Sequence, residues 1–109
     1  MTSYYVVETS QGINWVDNLE MRKQSQWTEH AAFMNKLEAE GFVVLGGPIN
    51  WSETSSEHHD HTALLIIDHV DETKIMQRLS EDPWMKNKLL KINWIKKWDI
   101  LLNRDSPVR

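Results

Sequence analysis

The sequence contains no cysteine, which excludes disulfides, thiolate nucleophiles and thiolate metal sites. It has no apolar run approaching the roughly 20 residues needed to cross a bilayer. The opening "MTSYYVVET" lacks the basic segment and apolar core of a signal peptide. Lys and Arg form no stripe, and the net charge is −4, so nucleic acid is not an expected partner. There is no Gly-rich phosphate loop, dinucleotide fingerprint or nucleophile elbow, and no NAD, flavin or ATP dependence is expected. Together these absences lead to the expectation of a cytoplasmic protein with no membrane partner and no cofactor.

What is present fits one ordinary globular unit. The chain has 109 residues, 40% of them hydrophobic and 26% charged, within the usual range of a single domain. We expect one domain over 1–103 and a flexible tail over 104–109. Six tryptophans are many for so short a chain; an aromatic-lined cavity or a shared interface explains them better than a small core.

The pattern along the chain predicts a strand at Tyr4–Glu8 and then a loop with helical turns over Ile13–Gln24. Ser25 is placed to cap a helix running to about Glu40, and Gly41 to end it. A second strand follows at Phe42–Gly47, halted by Pro48, and then a polar loop over Asn50–His61. "TALLIID" (Thr62–Asp68) is continuously apolar, as an inner strand would be. Asp71 caps the next helix, with Val70 and Ile75 spaced for a hydrophobic staple. Pro83 stops that helix near Asp82 and can start a short new one. A last strand spans about Leu90–Leu101, with a bulge expected where the alternation slips at Ile95–Lys97. The order β-α-β-β-α-β predicts an α+β, ferredoxin-like split β-α-β fold, with two helices on one face of an antiparallel sheet. The other face needs a cover, and a second copy of the chain is the simplest one.

Within the first helix, Trp27, His30, Met34 and Leu37 recur at spacings of three, four and three, so His30 shares a face with large apolar side chains. Burying its ring nitrogens unpaired would cost about 1–3 kcal/mol. Either another group satisfies it, or it faces a pocket. A carboxylate on one imidazole nitrogen would fix the tautomer and leave the other nitrogen free to move a proton. The competing reading is a core histidine bonded to a carbonyl, with Asp82 merely capping the helix begun by Pro83.

Three stretches, "MRKQSQWTEHAAFMNKLEAEGFVVLGGP" (Met21–Pro48), "RLSEDPW" (Arg78–Trp84) and the terminal "WDILL", together with "YYVV" near the start, resemble the YCII-related family. The resemblance implies a dimeric α+β barrel, in which two ferredoxin-like units pack sheet to sheet. It also implies a His–Asp pair beside a cavity, at His30 and Asp82. Related proteins are associated with small cyclic or aromatic compounds, including dehydrochlorination of hydroxylated aromatics.

Around such a pair, Trp27, Met34 and Trp84 could stack on a planar substrate or simply pack the core. Gly46, Gly47 and Pro48 either end a strand or shape the pocket mouth, with Gly47 and Pro48 near substrate. Arg22 could pair with a substrate carboxylate or phenolate, or form a surface ion pair. His58, His59 and His61 in "EHHDH" could hold a transition metal; the adjacent pair lacks a defined ligand spacing, and a solvated loop is the plainer reading. The expected function is thus an enzyme, a homodimer or a higher oligomer, that binds a small molecule and carries out elimination or isomerisation by His30–Asp82 acid/base chemistry, a lyase or isomerase. The alternative is a non-catalytic small-molecule-binding or regulatory dimer.

Overall fold

Side chains that alternate along the strands sort this sheet into two faces. The computed structural model describes residues 2–49 and 62–105. The elements are β1 (Thr2–Gln11), α1 (Trp27–Ala39), β2 (Val43–Pro48), β3 (Ala63–Ile67), α2 (Glu72–Leu79), α3 (Pro83–Lys86) and β4 (Leu90–Ile100). A short 3-10 turn at Met21–Lys23 precedes α1. The strands lie in the order β2-β3-β1-β4, and every neighbouring pair is antiparallel. This is the expected α+β, ferredoxin-like arrangement.

One face of the sheet carries Val7, Ile67 and Val43, which close over Leu37 of α1 and Ile75 and Leu79 of α2. Val7, Leu37, Ile67 and Ile75 are fully buried, each stabilising the fold by roughly 1.5–3 kcal/mol relative to exposure. Both long helices therefore sit on the same side. The opposite face holds Val6 beside Ile66 and Lys96, and Tyr4 beside Trp98. There Leu45 and Trp98 are 63% and 49% exposed.

Local chemistry accounts for the element ends. Gly41 has φ +80° and closes α1 in a Schellman motif: its N–H donates to Glu38 O, and Phe42 N–H donates to Leu37 O. Asp71 caps α2 by accepting from Thr73 N and Lys74 N. Pro48 belongs to β2 rather than ending it early, because β2 is an edge strand where a missing donor costs no ladder bond.

Four local expectations are corrected. α1 begins from Gln26 in the left-handed region (φ 61°), not from a Ser25 cap. Val70 is 92% exposed and staples nothing. β1 is longer than its apolar centre, because both its edges are paired. The β1–β4 register shift lies between Glu8 and Thr9, opposite Asn93. At Ile95–Lys97 the register is continuous; Lys97 is 60% exposed at its side chain, so the alternation lapses there without a bulge.

Candidate active site

The site grows from two helix starts brought side by side. Pro83 restricts Asp82 to extended backbone (φ −59°, ψ 128°), and from there its carboxylate folds back over the first turn of α3. Asp82 Oδ1 accepts from Trp84 N at 2.9 Å. The same carboxylate meets His30 Nδ1 at 2.9 Å through Oδ1 and 2.8 Å through Oδ2. Capping and partnering His30 were alternatives in the sequence; in the fold one carboxylate does both. An ionised carboxylate only accepts, so Nδ1 carries the proton, and Nε2 is the basic nitrogen of the neutral ring.

His30 is also held through its face. The Trp84 indole stacks on the imidazole with centroids 3.9 Å apart and planes within 6°. Trp84 is itself fixed by a hydrogen bond from Nε1 to Ser25 O at 2.7 Å. Trp15 meets Trp84 edge-on at 5.4 Å, and Trp27 lies tilted at 5.6 Å from Trp84 and 5.8 Å from His30. Asp82 is 3% and His30 13% exposed at the side chain. Among the described residues no protein group bonds to Nε2. The ring is oriented on two sides and has one nitrogen free to meet a ligand.

His30 and Asp82 line a cavity of about 430 Å³, within the usual range for a small-molecule site. Trp27, Met34, Gly47, Pro48 and Trp84 also line it. The strand glycines differ in their room. A Cβ at Gly46 would come within 2.5 Å of Leu65 Cδ2, whereas one at Gly47 would meet nothing within 4 Å. Arg22 is placed elsewhere: its guanidinium lies 5.9 Å over the Trp27 ring and is not part of the cavity wall. His58, His59 and His61 lie outside the described residues. Among the described residues no group of three or more His, Asp or Glu is gathered for a metal, and no helix is long and apolar enough to cross a membrane.

Several lining residues escaped the sequence reading. Trp15 was visible as one of the tryptophans, but nothing in the pattern tied the loop around it to α1. Glu38 lies on the same stripe of α1 as His30 and Met34, four residues beyond Met34. Gln24, buried to 3%, organises the Trp15 loop: Oε1 accepts from Val16 N at 3.1 Å, and Nε2 donates to Val16 O at 2.7 Å and Leu19 O at 2.8 Å. Among the described residues, two that are not glycine adopt positive φ, Gln26 and Lys88, each costing about 1–2 kcal/mol. Asn87 Nδ2 donates to Gln26 Oε1, so these two turns brace each other beside the site.

No family model and no curated protein matches the chain. Among solved structures, it is similar to 5-chloro-2-hydroxyhydroquinone dehydrochlorinase (TftG) from Burkholderia phenoliruptrix AC1100, in complex with 2,5-dihydroxybenzoquinone. The TM-score is 0.52 and the identity 15%, over 96% of this chain and 99% of that one. At that identity the likeness is one of fold.

Proposed function

We propose that this protein is a small-molecule enzyme that moves protons through His30, with elimination or isomerisation of a cyclic or aromatic compound as its reaction. The observation that carries this is the His30–Asp82 contact at 2.8 Å beside a cavity of about 430 Å³. Asp82 fixes the tautomer and stabilises the imidazolium that forms when Nε2 accepts a proton. In an elimination, Nε2 takes a proton from the substrate, the released electron pair makes a new double bond, and the leaving group departs with its own pair. Trp27 offers an aromatic face for a planar ring, Met34 an adaptable wall, and Gly47 and Pro48 the mouth, while Trp84, 2% exposed and stacked on His30, holds the imidazole in place rather than stacking on substrate.

The resemblance to the YCII-related family supports this reading, as does the fold likeness to a dehydrochlorinase bound to a quinone. No organic cofactor enters the reaction. The working form is a homodimer in the cytoplasm, built as a dimeric α+β barrel from the sheet face opposite the helices, with residues 1–103 as its single domain.

A panel of chlorinated and hydroxylated aromatics and enol-lactones, followed by chloride release and absorbance, tests the proposal. Turnover by the wild type, lost by a factor of about 10²–10⁴ in His30→Gln, is the expected result. Saturable binding without turnover would replace the enzyme with a ligand-binding dimer. Turnover that survives His30→Gln would remove the mechanism.

A further inference from the structure

Among the described residues the cavity wall carries carboxylates but no lysine or arginine. It holds the carboxyl groups of Asp82 and Glu38 and the imidazole of His30. Asp82 is committed to His30 and to the Trp84 amide. Glu38 is not committed: among the described residues its side chain has no hydrogen-bond or ion-pair partner. It lies eight residues after His30 on one stripe of α1, hence about 12 Å along the helix axis. The cavity wall thus holds, besides the His30–Asp82 pair, a second carboxylate about two helical turns away along α1.

We propose that Glu38 is a specificity-determining residue that makes this cavity select neutral or cationic aromatic ligands and reject carboxylates and phosphates. The inference rests on the proposed small-molecule site and adds the charge class of what enters it. Among the described lining residues an anion would meet two carboxylates and no Lys or Arg, an unfavourable juxtaposition that discriminates without any contact to the preferred ligand. A ligand with an ammonium or hydroxyl group distal to its reacting ring would instead find an acceptor in Glu38. Arg22, which could have provided an anion partner, lies over Trp27 outside the wall.

Three para-substituted phenols of similar size test this: tyrosol (neutral), tyramine (cationic) and para-hydroxyphenylacetate (anionic). Their binding is read by quenching of tryptophan fluorescence and by calorimetry. In the wild type the anion is expected to bind roughly threefold to tenfold more weakly than tyrosol, with tyramine at least as tight as tyrosol. Glu38 is exposed, so that difference shrinks as salt rises. Glu38→Gln should narrow the gap and Glu38→Lys reverse it. A lysine there sits in the last turn of α1, where a cation suits the helix dipole, so the variant keeps its fold. Equal wild-type binding of anion and neutral phenol, or a preference unmoved in Glu38→Lys, overturns the charge selection while leaving the small-molecule reading intact. Binding of none of the three overturns both.

Discussion

Asp82 Oδ1 lies 2.9 Å from both the Trp84 amide nitrogen and His30 Nδ1, so one atom of one residue joins the start of α3 to the face of α1. Its substitutions should separate geometry from charge. Asp82→Asn keeps an oxygen able to accept from both donors and loses the charge; Asp82→Ala removes both bonds. The alanine should cost about 1 kcal/mol for the lost cap and about 1–3 kcal/mol more for the histidine nitrogen left unpaired. The asparagine should cost clearly less in urea unfolding. Nitrogen NMR of the neutral ring should find the proton on Nδ1 in the wild type and in Asp82→Asn. If alanine costs no more than asparagine, or the proton sits on Nε2, the carboxylate is not what orients His30. At this scale the sequence offered the right atoms but left two roles for Asp82 as rivals. Cap-and-proline spacing speaks to neighbouring residues, while the contact with α1 spans 52 positions and depends on how two helices are seated on a sheet.

Elements with strong periodicity or punctuation were legible for physical reasons. Asp71, Gly41 and the Asp82–Pro83 pair each satisfy or remove backbone groups locally, so their roles show in a few residues. The segment between β1 and α1 was not legible, because a single buried side chain holds part of it together. Gln24 supplies three hydrogen bonds to Val16 and Leu19, and the same segment carries Trp15 to the edge of Trp84. A glutamine in a polar stretch gives no sign of that burial. The start of α1 misled for a related reason: the Ser25 carbonyl accepts from Trp84 Nε1, while Gln26 takes a left-handed conformation that its type does not announce. Gln24→Ala should therefore cost more than its surroundings suggest. At about 0.5–1.5 kcal/mol net per hydrogen bond, a loss of roughly 1.5–4.5 kcal/mol in urea unfolding is expected. It should be accompanied by a reduced near-ultraviolet dichroism signal as Trp15 loses its fixed edge against Trp84. An unchanged spectrum with unchanged stability would mean that other contacts hold the loop.

The described residues form two layers, and none of their helices covers the second face of the sheet. The helices close one side of the sheet; on the other, Tyr4, Val6, Leu64 and Trp94 are partly buried, and Leu45 and Trp98 are largely open. Antiparallel sheets tolerate one solvated face when it is polar. This face mixes its apolar residues with a few polar groups, among them Lys96 over the Trp94 ring and the Ser10–Asn93–Glu8 hydrogen-bond chain. Apolar strips flanked by satisfied polar groups are what an interface between copies would use, with aromatic residues at its centre. The proposed homodimer therefore makes a demand on Trp98 that the monomer does not. At 49% exposure, Trp98→Asp should cost the folded monomer roughly 1–2 kcal/mol of lost packing, and in addition bury two unpaired charges in a sheet-to-sheet dimer. Sedimentation over a wide concentration range should find the wild type at twice the chain mass, and Trp98→Asp at the chain mass with its circular dichroism unchanged. A wild type that stays monomeric throughout, or a variant that still dimerises, would leave this face to solvent or to another partner. In the monomeric case the protein would have to work with an open sheet.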